Sequence, residues 1–359
     1  MKRAENPMVA ILPSYPAEAL SYFEELFMSK LPNSVNSIRR WGGCLLFDTT
    51  SPVEFAQSCI RLSGIELISV GKIAKGFSSM SRLMKEEARN LIPHGKRYKV
   101  RVIRHSSSGF EEDEDESMHL TGMIIDEMRK AGSLPSQRND GAVLNVLCHQ
   151  EEYLFGRLSY EGVGGLPAGI NGRAVLLVSG GVGSAMAGIE IARAGFVPLP
   201  LLVVDYVDET EFRRAIIASC LLRELTLHND MEVTLVLLGE AKDEDLKTMH
   251  SKIRREGEFQ ASRIKTDYIC TGIHISPELK ELLEVYSRSS LKVLNPVIGW
   301  DRKRILSSLP EEVSRRYKSE NFRKRTRISA AGRKTVNVRL QDLAHYNEVL
   351  DRAIMALMS

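Results

Sequence analysis

The first 160 residues alternate short apolar runs with segments whose apolar residues recur at helical spacing. The first sixty predict a strand, helix, strand, helix order at residues 8–12, 16–31, 44–47 and 52–62. From Gly64 the pattern begins again, with strands at 65–73 and 97–103, helices at 79–91 and 117–131, and a hairpin at 142–148 and 153–158. The first stretch predicts a small ferredoxin-like α+β unit, and the second predicts a further α+β domain.

The second half has the longer alternation that is typical of a parallel sheet with crossover helices. Strands are predicted at 174–178, 197–204, 232–238, 267–270 and 291–294, with helices ending at Ala194 and covering 209–227, 243–264 and 277–286. A last helical pattern covers 336–359. A glycine-rich stretch separates the halves. The sequence therefore predicts a multidomain α/β and α+β chain with segments at 1–62, 63–160, a connector at 161–173, then 174–310 and 311–359.

A glycine-rich turn follows the first strand of the second half. Residues 173–184 read RAVLLVSGGVGS, so Ser179 begins a turn that contains Gly180, Gly181 and Gly183. Glycines let the backbone turn sharply and let an anion approach the N–H groups at a helix N-terminus. Ser184 can cap the helix and offer a hydroxyl. No Walker Gly-Lys-Ser/Thr follows, so the turn predicts a pyrophosphate cradle of another kind, with a tight α/β connection as the alternative.

Composition is that of an ordinary globular chain. The sequence has 359 residues, of which 43% are hydrophobic and 26% are charged. Because it contains neither a membrane-length apolar stretch nor the apolar core of a signal peptide, a cytoplasmic protein is the simplest expectation. The cysteines show no CxxC or zinc spacing, so no metal site is expected and small core residues are their simplest role. The five are Cys44, Cys59, Cys148, Cys220 and Cys270.

The distribution of charged residues is more informative than the net charge of +3. Basic side chains that could meet RNA phosphates occur in two segments, Lys99, Arg101 and Arg104 near the strand at 97–103 and Arg323, Lys324 and Arg325 beside Phe322. A solvated strand face and a solvated linker are the respective alternatives. Residues 111–116 are all acidic, so they are expected to form a mobile loop that would repel phosphate.

Several short motifs in a fixed order resemble the tRNA 4-thiouridine synthetases. GGLPAG at 164–169 precedes the turn, and CTG at 270–272 and LNPVIGWD at 294–301 follow it. In this family the PP-loop reads Ser-Gly-Gly-x-Asp-Ser. The resemblance runs from about Pro52 to Asp301. It implies a ferredoxin-like N-terminal unit, a THUMP domain that binds the tRNA acceptor end, and a PP-loop ATPase domain with an adenine nucleotide alpha hydrolase-like parallel sheet.

The resemblance implies ATP-dependent sulfur transfer to a tRNA uridine. ATP, with Mg2+ balancing its charge, adenylates the uridine oxygen, and a persulfide on a cysteine then displaces AMP. The implied partners are tRNA and a sulfur-donor protein, with a second copy of the chain as a further candidate, and no membrane partner is expected. The nucleotide-binding residues implied by the family's motifs are Leu177, Val178, Ser179, Gly180, Gly181, Gly183, Ser184, Arg254, Arg255, Thr271 and Gly272.

Four departures put the reaction in question. Gly183 stands where the PP-loop has Asp, and Ile273 stands where the later turn has Glu. No Gln occurs at 273–285, and no cysteine follows Cys270, although the family carries both a Gln-containing motif and a downstream sulfur-carrying cysteine. Cys270 and Cys220 could take over sulfur transfer, and Cys270 is the better candidate because it ends a predicted strand beside the loop. His274 could reach Cys270, and a buried core residue is the alternative. Losing one charged group from a preorganised site costs on the order of a hundredfold in rate.

Three functions follow from these observations. The first is a tRNA-binding protein of the 4-thiouridine synthetase family, whose lineage reaction is ATP-dependent thiolation of a tRNA uridine, with the competence of this chain left open. The second is a pseudoenzyme that binds tRNA without catalysis, which Gly183 and Ile273 favour. The third is adenylation of a different acceptor, and no residue of its own supports that function.

Overall fold

The computed structural model describes residues 7–30, 34–91, 97–104, 114–130, 134–135, 142–204, 207–226, 230–238, 245–319, 327–328 and 333–358. The chain divides into two compact units, Met1–Leu166 and Pro167–Ser359. The division falls inside the glycine-rich connector at 161–173. None of the helices in the described ranges combines the length and apolar character that crossing a membrane requires.

The first unit is built on one eight-stranded sheet. Its elements are β1 (Met8–Pro13), α1 (Pro16–Lys30), β2 (Val35–Trp41), β3 (Cys44–Thr49), α2 (Pro52–Cys59), β4 (Ile65–Lys75), α3 (Phe77–Leu91), β5 (Arg97–Arg104), α4 (Glu114–Lys130), β6 (Leu134–Pro135), β7 (Ala142–His149) and β8 (Glu152–Glu161). The strand order is β2-β3-β1-β4-β8-β7-β5-β6. β4 is antiparallel to β1 on one side and to β8 on the other, so one sheet crosses the predicted boundary between residues 62 and 63.

Two features of this unit differ from the sequence prediction. β2 was not predicted, because Trp41 is its one fully buried side chain and the strand VNSIRRW has no apolar periodicity. The acidic run was predicted to be a loop, but α4 begins at Glu114, so the last three residues of the run form its first turn. Acidic residues are favoured at a helix N-terminus, where they interact with the positive end of the helix dipole. Residues 111–113 lie outside the described residues.

The second unit is built on a six-stranded sheet. Its elements are β9 (Arg173–Leu177), α5 (Val182–Arg193), β10 (Val197–Val204), β11 (Val207–Asp208), α6 (Glu209–Thr226), β12 (Glu232–Leu237), α7 (Leu246–Ile264), β13 (Tyr268–Cys270), α8 (Leu279–Tyr286), β14 (Lys292–Leu294), α9 (Arg302–Ser308), α10 (Glu311–Ser319), β15 (Arg327–Ile328), β16 (Lys334–Arg339) and α11 (Tyr346–Met358). The strand order is β14-β13-β9-β10-β12-β16. The first five strands are parallel, which agrees with the alternation in the sequence.

The C-terminal segment completes this sheet. The sequence pattern predicted one helix over 336–359, but residues 334–339 form β16, which pairs antiparallel with β12. Within β16 the exposed and less exposed side chains alternate along the strand, and this two-residue period is that of a strand. A short 3-10 turn at Leu343–His345 leads into α11. Residues after 310 are therefore part of the second unit, because they supply its edge strand and a covering helix.

The core of the second unit fixes β9 and the turn that follows it. Val175 and Leu177 of β9 pack with Leu201, Val236 and Ile269 from the three neighbouring parallel strands. α5 is buried along nearly its whole length, because its side chains are small or apolar. The carboxyl ends of β9, β10 and β13 therefore lie together at one edge of the sheet, where ligands bind in parallel α/β folds.

Candidate functional site

The turn after β9 uses Gly180 for two physical reasons. Its φ is +64°, a left-handed conformation that glycine adopts without strain. A Cβ at this position would also lie 2.2 Å from the carbonyl oxygen of Glu211, in the first turn of α6. Gly180 therefore lets the turn pack directly on α6, and the glycine-rich pattern corresponds to a real close approach of two backbones.

Ser184 does not have the role that the sequence predicted. The N-cap residue of α5 is Gly181, and Ser184 lies inside the first turn of the helix. The Ser184 hydroxyl donates to the carbonyl oxygen of Gly181 at 2.9 Å, and the backbone N–H of Ser179 points at the same hydroxyl at 3.4 Å. The side chain is also buried. Its hydroxyl therefore stabilises the loop from within and is not directed at a ligand.

Gly183 is in backbone contact with the turn after β13. A Cβ on Gly183 would lie 2.2 Å from the carbonyl oxygen of Gly272 and 2.7 Å from Nδ1 of His274. A Cβ on Gly272 would in turn lie 2.2 Å from the backbone nitrogen of Ser184. No side chain fits at either position without moving the backbone. The place where the related PP-loops carry an aspartate is therefore filled by a carbonyl group and an imidazole ring.

The turn after β13 is held from both of its ends. The Thr271 hydroxyl donates to the side-chain oxygen of Asn295, which follows β14. The Thr271 N–H donates to the carbonyl oxygen of Leu294 at 2.9 Å. Ile273 is buried and packs in the hydrophobic cluster beneath the sheet edge. His274 Nδ1 lies 3.1 Å from the carbonyl oxygen of Gly272. Because a carbonyl only accepts, Nδ1 carries the proton in this hydrogen bond and Nε2 is the nitrogen that can meet a ligand.

A cavity of about 550 Å³ opens beside the loop. Its described lining consists of the loop itself and side chains from α6, the turn after β13, α9 and α10: Ser179, Gly180, Gly181, Val182, Glu211, Arg214, His274, Arg302, Leu306 and Tyr317. The described lining therefore contains two arginines and a histidine but one carboxylate. A second cavity of about 320 Å³ lies at the opposite, amino edge of the sheet, and none of the predicted site residues lines it.

Arg214 is positioned by Tyr317. Its guanidinium lies 5.8 Å from the centroid of the Tyr317 ring, and Nη2 donates to the Tyr317 carbonyl oxygen at 3.4 Å. The Tyr317 hydroxyl donates back to the carbonyl oxygen of Arg214 at 3.2 Å. The Nε of Arg214 is buried and has no acceptor among the residues that the structure describes. The guanidinium itself lines the cavity, where its charge can attract an anion.

The structure brings together part of the predicted nucleotide-binding set. Ser179, Gly180 and Gly181 line the cavity, while Gly183, Ser184, Thr271 and Gly272 form the backbone contacts behind it. Leu177 and Val178 are buried next to the loop and are not part of the lining. The residues that the sequence analysis missed are Glu211, Arg214, Arg302 and Tyr317, which come from three helices and share no motif.

Arg254 and Arg255 are not brought to this cavity. Arg254 lies in α7, where Nη1 donates to Glu258 at 2.6 Å and to the carbonyl oxygen of Arg288 at 3.2 Å. These contacts join α7 to the residues after α8. Neither arginine belongs to the described lining of the cavity. Arg254 is therefore placed as a structural residue between two helices.

All five cysteines of the chain are buried. Cys270, the predicted candidate for sulfur transfer, is 0% exposed, and its thiol donates to the carbonyl oxygen of Thr271 at 3.9 Å. Burial raises the pKa of the Cys270 thiol above its ordinary value. His274 is hydrogen-bonded to Gly272. A sulfur carrier must be reachable and ionised, so this placement favours the alternative that Cys270 is a core residue.

The basic residues predicted to meet RNA are described in part. Lys99 and Arg101 are exposed on β5, and the alternating residues Val100 and Val102 pack against the core beneath α3 and α4. Ile103 lies on the same side of β5 as the two basic residues and is buried in a second cluster. The side chain of Arg104 and the whole of Arg323, Lys324 and Arg325 lie outside the described residues, so their RNA contacts stay a prediction.

Comparisons with known proteins show a distant sequence similarity to tRNA sulfurtransferases. No family model matches it. It is 26% identical over 204 residues to a probable tRNA sulfurtransferase of Methanocaldococcus jannaschii, covering 51% of this chain and 52% of that one. It is 27% identical over 279 residues to a tRNA sulfurtransferase of Desulfurococcus amylolyticus, covering 71% of this chain and 55% of that one. The chain thus spans about half the length of these curated relatives.

Solved structures share the fold. A 4-thiouridine synthetase crystallised as an RNA complex with bound ATP matches with a TM-score of 0.67 at 19% identity, covering 99% of this chain and 96% of that one. A protein from Pyrococcus horikoshii matches with a TM-score of 0.56 at 17% identity, covering 84% of this chain and 97% of that one. The chain is therefore a distant homologue of the tRNA sulfurtransferases, and it has the fold of a 4-thiouridine synthetase.

Proposed function

We propose that this protein binds tRNA and no longer transfers sulfur to uridine. The observation that carries the proposal is the contact between Gly183 and Gly272, which fills the position of the PP-loop aspartate with backbone and with the His274 ring. Catalysis by these enzymes depends on charged groups held ready around the reacting atoms. Here the position of one such group has been closed by the packing of two turns.

Binding of tRNA is supported by the fold and by the surface of the first unit. The neighbour with a bound RNA covers nearly the whole of this chain. Lys99 and Arg101 stand on an exposed strand face, where their charges can meet a phosphate backbone. Arg104, Arg323, Lys324 and Arg325 remain candidates from the sequence for further RNA contacts.

Loss of sulfur transfer is supported by the burial of every thiol in the chain. A persulfide forms on a thiolate that a donor protein can reach, and all five cysteines are buried. Burial raises the pKa of Cys59 and of Cys220 to about 12, and it raises the pKa of Cys44 and Cys270 as well. The chain therefore offers no thiol that is prepared for this chemistry at neutral pH.

The test combines binding with chemistry in one set of samples. A tRNA transcript is titrated with the protein, and the same mixtures then receive ATP, Mg2+ and inorganic sulfide, which removes the need for a sulfur-carrying cysteine. The proposal expects saturable tRNA binding and no 4-thiouridine in the digested RNA. Formation of 4-thiouridine above the level of a protein-free control would overturn the proposal, and so would the absence of tRNA binding.

A further inference from the structure

We infer that the loop cavity binds phosphate groups without a divalent cation, with Arg214 and Arg302 supplying the positive charge. The inference deepens the proposed function, on which it rests, by naming the ligand class of the PP-loop cavity. The ligands in question are a nucleotide or pyrophosphate whose phosphates would lie against the loop. The following observations argue first for the phosphate and then against the metal.

The cavity fits a phosphate group. The start of α5 presents backbone N–H groups at Gly181 and Val182, both of which line the cavity. Arg214 adds a guanidinium to the lining of the cavity. Arg302 is exposed at the start of α9, so its side chain can reach over the opening. Phosphate oxygens are the acceptors that guanidinium groups and helix N-termini bind best.

The same cavity offers few ligands to Mg2+. This ion prefers carboxylate and phosphate oxygens in a near-octahedral arrangement. Glu211 is the one carboxylate among the described lining residues, and Asp301 next to Arg302 is already used, since it caps α9 by accepting from the Arg304 N–H at 2.7 Å. No group of three or more acidic, histidine or cysteine side chains that could hold a metal occurs in the described part of the chain.

His274 stands where the missing carboxylate would be. The Gly183 Cβ that would begin an aspartate side chain falls 2.7 Å from its Nδ1. Because Nδ1 donates to Gly272, Nε2 is left for the cavity that His274 lines. Because the neutral ring has one proton and uses it at Nδ1, Nε2 binds a phosphate oxygen only in the doubly protonated imidazolium. The exchange therefore removes a carboxylate, which is the ligand that Mg2+ prefers, from this position.

The experiment measures pyrophosphate and ATP binding by calorimetry, in EDTA and in Mg2+. The inference expects binding in EDTA that is at least as tight as in Mg2+, since the metal would compete for the phosphates. Binding that requires Mg2+ would overturn it and would point to Glu211 as a metal ligand. Absence of binding in both buffers would overturn it as well. Neither of these results would touch the proposed function, which is judged by tRNA binding and thiolation.

Variants locate the site. Arg302→Gln is expected to weaken pyrophosphate binding in EDTA by about tenfold or more, as expected for a lost hydrogen bond to a charged group. Lys303→Gln removes the same charge from the next position of α9, outside the described lining, and is expected to leave the affinity unchanged. His274→Gln keeps a donor for Gly272 while it removes the imidazole. Equal affinities for the Arg302 and Lys303 variants would place the anion elsewhere.

Discussion

At the scale of single residues, the candidate site is shaped by positions that lack side chains. Gly183 and Gly272 bring two backbones closer than any other residue type would allow. The motif that the sequence resembles has an aspartate at the position of Gly183, and a Cβ at this position would lie 2.2 Å from the Gly272 carbonyl oxygen. Gly183→Asp is therefore expected to disturb the turn.

The contact at Gly183 makes a prediction about stability. Gly183→Ala places a methyl group against the Gly272 carbonyl, so we expect it to lower the free energy of unfolding by about 1–3 kcal/mol. Gly299→Ala is the matched control, since no atom lies within 4 Å of its Cβ position and its φ is not positive. Urea unfolding of both variants measures the difference. Equal stabilities would show that the two turns are not in contact.

Ile273 makes a second prediction at this scale. Ile273→Glu would restore the acidic residue of the related turn, but the side chain is buried in an apolar cluster. An unpaired buried charge costs about 3–5 kcal/mol, and this loss should shrink at acid pH as the new carboxyl is protonated. Ile275→Glu, in the same turn but 53% exposed, should cost much less. Thermal unfolding compares the two, and similar melting temperatures would contradict the buried position of Ile273.

At the scale of elements, α3 and α4 are joined by a cluster around Glu127. Its carboxylate accepts from the Ser81 hydroxyl at 2.9 Å and lies 2.8 Å from Lys85 Nζ and 2.7 Å from Lys130 Nζ. These hydrogen bonds, led by the one from Lys130, lower the pKa of Glu127 to about 2. Two helices that cover the same face of the sheet are thus tied by one partly exposed carboxylate.

This cluster predicts a pH-dependent contribution to stability. A carboxylate whose pKa is depressed stabilises the fold above its unfolded pKa of 4.5, and this stabilisation is lost as the pH falls toward 2. Because the group is close to solvent, Glu127→Gln should cost only about 1 kcal/mol at pH 7. Asp126→Asn, at an exposed neighbouring pair, should cost less. Urea midpoints at pH 7, 4 and 3 check this, and a pH-independent difference would contradict it.

The elements themselves were predictable where the pattern of side chains reports burial. The parallel strands of the second unit are apolar runs because both of their faces are covered. β2 was missed because its exposed edge position leaves it polar, and β16 was read as helix because two valines were too few to set a period. The cavity lining could not be predicted, because Arg214, Arg302 and Tyr317 belong to three different helices and come together only in the folded chain.

At the scale of the whole molecule, the proposed tRNA binding depends on electrostatic attraction between basic side chains and phosphates. RNA binding by basic side chains releases counterions, so the affinity for tRNA should fall as salt rises. The double substitution of Lys99→Gln and Arg101→Gln should reduce the steepness of this dependence by about 1–2 units in a logarithmic plot. Arg82→Gln, exposed on α3, is the matched control. Fluorescence anisotropy at several salt concentrations measures the tRNA affinity of the unmodified protein and of both variants. Identical slopes would show that β5 does not contact the RNA.

The measurement that tests the central claim most directly is pyrophosphate release from ATP in samples where tRNA is already bound. Adenylation of uridine releases pyrophosphate and needs no cysteine, so this measurement isolates the effect of the closed position at Gly183. We expect saturating tRNA and Mg2+ to leave pyrophosphate release at the level seen without tRNA. Release that rises with bound tRNA would show that the chain still activates uridine, and the account of a tRNA-binding protein without catalysis would be wrong.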